Sequence, residues 1–205
     1  SKEGEIPERS SLKEDLRVEA AVIGGGMAGI LTAYALKCQG KEVVVLEADR
    51  IASGQTKNTT AKLTAQHGMI YDKLIKHYGK ERASVYARAN KIAIDAFEWL
   101  VQEKKIECGF KRVPAFLYSV EDEKKLRKEA IAAHYLGIPA YFTKETDLPF
   151  PIKGAVCFEN QAQFHPLLFI KEIAKELKIY EKTKVLSIKG HEIKTEEATV
   201  WAEHI

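Results

Sequence analysis

Hydrophobic and polar positions change their period abruptly near the start of the chain. Ala20 to Ile23 form a short apolar run, Gly24, Gly25 and Gly26 interrupt it, and Ile30, Ala33, Tyr34 and Leu36 then recur at helical spacing. A second apolar run, Val43 to Leu46, ends on Glu47. The pattern predicts strand, tight turn, helix, strand. Further on, Met69 to Gln102 is strongly helical, with Ile70, Leu74, Tyr78, Val85, Ala89, Ile92, Ala96, Trp99 and Leu100 assigned to one face, and Tyr86, Phe97 and Trp99 to the core. Gly79 is expected to divide this stretch into two helices.

The rest of the pattern is shorter in wavelength. Cys108 to Val120 and Ala140 to Phe142 read as strands flanking a charged amphipathic helix, Glu121 to Leu136, which Gly137 ends. After the turn around Leu148 to Gly154, Ala155 to Phe158 and Gln163 to Phe164 are extended, and Pro166 opens a helix at its favoured first position. That helix, to Leu177, runs almost directly into Ile179. Val185 to Ile205 is a meander of short strands turning at Gly190 and at Glu196 and Glu197. Residues Ser1 to Leu16 are polar and read as an arm over the surface or as disordered, with Ser10-Ser11-x-x-Glu14 able to cap a short helical turn.

Gly24-x-Gly26-x-x-Gly29, sitting between that first strand and helix, has the spacing of a dinucleotide fingerprint. Gly24 allows the sharp turn, Gly26 lets a pyrophosphate approach the backbone, and Gly29 lets the helix pack closely on the strand. Met27 and Ala28 begin the helix, whose free amides and dipole favour phosphate. Glu47, at the tip of the second strand, is placed to accept hydrogen bonds from ribose hydroxyls.

Composition narrows the class. The 205 residues are 45% hydrophobic and 30% charged, with 32 basic and 29 acidic residues interleaved to a formal charge of +3. There is no basic stripe for nucleic acid and no apolar run near the about 20 residues of a membrane span. Cys38, Cys108 and Cys157 lack metal or disulfide spacing and read as buried thiols in a reducing compartment, the cytoplasm. The amino terminus shows no signal-peptide core. His67 and His77 have no partner spacing for a metal. The segment Ala48 to Lys62 is rich in Gly, Ser, Thr and Asn, longer than an ordinary α/β connection, and leaves from the carboxyl end of a strand, where nucleotide-binding loops lie.

The runs VIGGGMAGILTAYAL and VVVLEADRIASGQTKNTTAKLT together resemble the amino-terminal flavin-binding region of the D-amino-acid oxidase, glycine oxidase and sarcosine oxidase family. Asn58-Thr-Thr-Ala-Lys62 followed by Gln66-His-Gly is most similar to bacterial members with a Rieske-type iron–sulfur domain at their far carboxyl end. The resemblance implies FAD as cofactor, an amine or amino acid as substrate, and hydride transfer to the flavin. It implies that Gly24, Gly26, Met27, Ala28 and Gly29 hold the pyrophosphate, and Glu47 and Ala48 the adenosine ribose, with Arg50 in the following turn. Gln55 and Thr56 match positions near the phosphates, and Thr60, Ala61 and Lys62 the segment passing the ribityl chain and flavin ring. Lys62 replaces a small or apolar residue; it either charges the flavin environment or is a solvated surface lysine. Thr183-x-Val185 matches the strand whose valine backbone contacts adenine.

The phrase from Gly154 to Pro166 also resembles the family, where it leads from the substrate domain back to the flavin domain; Gln161, Gln163 and His165 read as cavity-facing or as turn and cap residues. In the family a glycine-containing loop precedes Ile179, and a further buried strand follows the meander, so the chain reads as an amino-terminal fragment. The expected fold class is α/β: a Rossmann-like FAD domain of residues 18–66 and 166–205, interrupted by an α+β substrate domain of residues 67–165. The function is expected to be oxidation of a C–N bond by an FAD-dependent oxidoreductase, with no general base assignable. An NAD-dependent dehydrogenase, or a nucleotide-binding module without catalysis, are the alternatives. The long Thr/Asn loop and the interrupted domain speak against the dehydrogenase.

Overall fold

The computed structural model describes residues 6–205. In chain order the elements are β1 (Leu16–Ile23), α1 (Met27–Cys38), β2 (Val43–Leu46), a 3-10 turn (Gln55–Asn58), β3 (Lys62–Leu63), α2 (Tyr71–Glu103), β4 (Lys111–Ser119), α3 (Glu123–Tyr135) and β5 (Ala140–Thr143). Then come β6 (Gly154–Gln163), α4 (Pro166–Ala174), β7 (Lys178–Tyr180), β8 (Ser187–Lys189), β9 (Glu192–Lys194) and β10 (Thr199–His204). They fall into two compact units. The first gathers the chain up to Thr60 and from His165 to Ile205; the second is Ala61–Phe164.

The first unit is built on a six-stranded sheet in the order β7-β2-β1-β10-β9-β8. β7, β2, β1 and β10 run parallel, and β9 and β8 return antiparallel at one edge. β2, with the sequence Val-Val-Val-Leu, is buried throughout, which fits a strand covered on both faces. α1 turns Ile30, Ala33 and Tyr34 inward. Leu12, Val18, Ala21, Val44, Ile193 and Val200 belong to one core cluster. The expected meander after Val185 is present as β8, β9 and β10.

The arm before β1 corrects one expectation. No helical turn forms at Ser10 to Glu14, because backbone amides there are used elsewhere: Arg9 N donates to Glu181 Oε2 at 2.8 Å, and buried Leu12 N to Thr183 Oγ1 at 3.0 Å.

In the second unit β6 is the central strand. β4 pairs along its length, β5 with Ala155–Phe158, and β3 with Ala162 and Gln163, all antiparallel. The β4 register shifts between Val113 and Ala115, where Pro114 has no N–H to give. Tyr71, Ile94, Leu126, Ala133, Val156 and Phe158 form the core. Glu129, 1% exposed, lies among them, and its carboxylate accepts hydrogen bonds from the amides of Ile70 and Tyr71 at 2.8 Å and of Asp72 at 3.1 Å. It thereby satisfies the free end of α2, which carries no cap of its own.

α2 breaks at Gly79, whose φ of 77° is left-handed, as the sequence predicts. Its assigned face needs correction. Val85, Ile92 and Trp99 are 58%, 57% and 58% exposed, and Tyr78 is exposed too, while Ala83, Ala87 and Ile94 are buried. Small residues allow close packing on α3, so the buried face is the less hydrophobic of the two. Phe97 does pack edge-on against Phe164, with ring centroids 5.5 Å apart. Of the thiols, Cys108 and Cys157 are buried, but Cys38, at the end of α1, is exposed.

Candidate functional site

β1 delivers the chain into the glycine turn, where Gly24 adopts φ +102° and donates its N–H to Leu46 O at 2.9 Å. A Cβ on Gly29 would stand 1.9 Å from Gly24 O, so glycine is what allows α1 to start against the strand. Gly26 is different. Its φ of −77° suits any residue, and a Cβ there would meet only Thr56 Oγ1, at 3.7 Å. Neither conformation nor packing requires glycine at 26; its effect is to keep clear the space before the first amides of α1. That helix has no side-chain cap and no acid in its first turn, so its positive end is not internally neutralised.

Two polar side chains reach this turn. Glu47 Oε2 accepts from Gly25 N at 2.5 Å and Glu47 Oε1 from Asp49 N at 2.9 Å. A carboxylate has about four lone-pair positions, so two remain for hydroxyl donors. Thr56, in the 3-10 turn, accepts at Oγ1 from Met27 N at 3.2 Å and keeps its own proton to donate. Ala28, Ala48, Gln55 and Thr60 are exposed.

Residues that the sequence did not single out hold this arrangement. Ile51 packs on the turn so closely that a Cβ on Gly25 would come within 2.6 Å of its Cγ2, and Ala52, with φ 58°, donates N–H to Gly25 O at 3.0 Å. Behind them Glu181, 0% exposed, accepts from Ile51 N at 2.8 Å, and its other oxygen lies 3.4 Å from Arg50 Nε. Arg50 also donates to Ile6 O at 2.6 Å, so its guanidinium ties the loop to the arm. Thr183 N donates to Glu47 O at 2.8 Å. Val185, two residues on, is half-buried against the core, but the expected strand at Thr183-x-Val185 is absent: the segment between β7 and β8 is irregular. The only sequence cue to Glu181 is an acid directly after a short apolar strand.

In the second unit, Ala61 has φ 59°, a left-handed backbone that costs a non-glycine residue about 1 kcal/mol or more. Lys62 is exposed at the start of β3, paired with Gln163. His67 Nε2 lies 3.2 Å from Asn90 Oδ1. Gln161 Oε1 accepts from Ala65 N at 2.6 Å, and in the first unit His165 Nδ1 caps α4 by accepting from Leu168 N at 3.3 Å. Turn and cap roles therefore account for both.

An open space before the first turn of α1, a hydroxyl beside it on Met27 N, and a carboxylate with spare lone pairs at the tip of the neighbouring parallel strand fit a dinucleotide. This is the arrangement of a Rossmann-type nucleotide-binding domain. The model of the family described as DAO, FAD dependent oxidoreductase, matches residues 19–204, and the chain belongs to that family, whose cofactor is FAD. It is 40% identical over 195 residues to the putative Rieske 2Fe-2S iron-sulfur protein YhfW of Bacillus subtilis, covering 92% of this chain and 38% of that one. It is 27% identical over 116 residues to gamma-glutamylputrescine oxidoreductase of Escherichia coli, covering 57% of this chain and 27% of that protein. Among solved structures, glycine oxidase from Geobacillus kaustophilus superposes with a TM-score of 0.71 at 22% identity, over 92% of this chain and 54% of that one. The chain spans less than half the length of the curated relatives it matches. Among the described residues no helix is long and apolar enough to cross a membrane.

Proposed function

We propose that the protein oxidises the C–N bond of a small amine or amino acid, using FAD held at the glycine turn. The observation that carries this reading is the space kept open at Gly26, with Glu47 bonded to the adjoining Gly25 amide. Gly24, Gly26, Met27, Ala28 and Gly29 line the pyrophosphate, with Thr56 donating its hydroxyl proton to a phosphate oxygen and Gln55 nearby. Glu47 accepts from ribose hydroxyls through its remaining lone pairs, beside Ala48, and Val185 lies against the adenine. Arg50 acts by fixing the loop that carries Glu47. Resemblance to the family supports assigning Thr60, Ala61 and Lys62 to the ribityl chain and flavin ring. FAD bound there would supply the acceptor for the hydride that leaves the carbon beside the amine nitrogen.

The substrate class rests on the names of the relatives, glycine oxidase and gamma-glutamylputrescine oxidoreductase. The Bacillus relative, a putative Rieske 2Fe-2S iron-sulfur protein, supports an iron–sulfur domain elsewhere in the full protein as the electron acceptor. Cysteines kept as thiols rather than disulfides, at Cys38, Cys108 and Cys157, support a cytoplasmic location.

The test is a visible spectrum of the purified full-length protein, followed by anaerobic titration with a panel of amines and amino acids. A flavin band that one of them bleaches is expected. A protein that takes up no FAD, or that binds NAD instead, overturns the reading.

A further inference from the structure

The arm before β1, residues 6–15, forms no helix or strand and is held in place by hydrogen bonds. Several join it to the segment that follows β7: Arg9 N donates to Glu181 Oε2 at 2.8 Å, Glu181 N to Ser10 O at 3.2 Å, and Leu12 N to Thr183 Oγ1 at 3.0 Å. Lys182 adds an ion pair with Glu8, at 2.5 Å. Another bond joins the arm to the loop after β2, where Arg50 donates to Ile6 O at 2.6 Å.

The residues that hold the arm also hold the glycine turn. Thr183 N donates to Glu47 O at 2.8 Å, and Glu47 N to Tyr180 O at 2.9 Å. Glu181, 0% exposed, divides its carboxylate between the two sides: Oε2 accepts from Arg9 N of the arm, and Oε1 from Ile51 N of the loop at 2.8 Å. Ile51 in turn packs on Gly25 with no room for a Cβ between them. A buried carboxylate that loses a donor shifts to recover one or admits water. Either change is passed by Ile51 to Gly25, whose N–H Glu47 holds.

The docked arm has little margin. Within it only Ile6 and Leu12 are buried, and the buried Nε of Arg9 finds no partner among the described residues, which weakens docking. An equilibrium so nearly balanced is one that a ligand at the turn is able to bias.

We propose that the arm is a strap whose docking raises the affinity of the glycine turn for FAD, and that Glu181 is the positioning residue that couples the two. This rests on the reading that FAD is held at the turn. Such coupling is reciprocal: the factor that the docked arm adds to FAD affinity is the factor that bound FAD adds to arm docking.

The test uses the deflavinated full-length protein, with flavin fluorescence titration, melting curves and amide hydrogen exchange. Glu181→Gln keeps the size of the side chain but turns an N–H toward a backbone N–H donor, and Thr183→Val removes the acceptor of Leu12 N while leaving its own N–H to Glu47. Each is expected to raise the dissociation constant for FAD about tenfold. Ile193→Val, in the same core but two strands from β1, is expected to lower the melting temperature with FAD affinity unchanged. In the wild type, FAD should slow exchange at the amides of Arg9 and Leu12 by the same factor of about ten. That measurement needs no variant, so it decides the matter even where a substitution at buried Glu181 prevents folding. FAD affinity within about twofold of wild type in both Glu181→Gln and Thr183→Val overturns the proposal, as does an equal loss in Ile193→Val. Exchange at Arg9 and Leu12 that FAD leaves unchanged overturns it as well. In all three cases FAD still binds, whereas a wild type that takes up no FAD overturns the reading of the turn itself and the coupling with it.

Discussion

The carboxylate of Glu47 accepts a hydrogen bond from the backbone N–H of Gly25 at 2.5 Å, so the tip of β2 is tied to the turn that leaves β1. A single side chain thus sets the distance between the proposed ribose and pyrophosphate sites. Replacing it with Ala removes a charged acceptor whose bonds are each worth about 1.5–3 kcal/mol. Glu47→Ala is therefore expected to weaken FAD binding about 10- to 100-fold, measured by flavin fluorescence titration of the deflavinated full-length protein. Retention at the wild-type level would mean that the ribose is held elsewhere.

Gly26→Ala and Gly29→Ala should fail for different reasons. The added methyl at 26 meets only Thr56 Oγ1 at 3.7 Å, so thermal stability should hold while FAD affinity falls. At 29 it would lie 1.9 Å from Gly24 O, so the fold itself should be lost. Melting curves taken beside flavin content separate the two, and a Gly26→Ala protein that binds FAD normally would show the cleared space to be incidental.

Glu129 accepts from Ile70, Tyr71 and Asp72 while being 1% exposed. Glu129→Ala strands those amides at the end of α2 and leaves a gap in the core. A loss of about 3–5 kcal/mol is expected in chemical denaturation of the full-length protein. Tyr71, whose phenol burial pushes above its ordinary pKa, should become easier to ionise as water enters. A loss below about 1 kcal/mol would show that α2 starts without help.

Asp122 caps α3 by accepting from Lys125 N at 2.9 Å, and that bond, with the nearby Lys125 ammonium, holds its carboxyl below the usual aspartate range. A group whose pKa is lowered in the folded state stabilises above its unfolded value, and the benefit disappears as pH falls through the folded one. Wild type should therefore melt above Asp122→Asn at pH 7, with the gap closing as the pH drops below about 4. An equal gap at pH 7 and pH 3 would assign the difference to something other than charge.

Local signals carried much of the fold into the sequence. The run Ala20 to Leu46 announces β1, the turn, α1 and β2 because each uses a residue type its backbone needs. Gly79 and Pro166 likewise mark a break and a helix start. What stayed hidden depends on distant partners. Nothing near Glu181 in sequence points to Ile51, 130 positions away, nor anything near Glu129 to Tyr71, 58 away. The face of α2 misled for another reason: Val85, Ile92 and Trp99 share a period with one another, and a period says which residues lie together but not whether they lie inside. Alanines at 83 and 87 bury more readily against a neighbouring helix than their hydrophobicity announces.

The second unit begins at Ala61 and ends at Phe164, and Phe164 N donates to Ala61 O at 3.2 Å. An insert whose two ends lie side by side, paired again at Lys62 with Gln163, leaves its host through a gap no wider than an ordinary surface loop requires. Its helices and strands could lengthen, shorten or exchange without moving the points at which the flanking chain must resume. A lineage could thus reshape the insert while the parallel strands of the first unit go on unaltered.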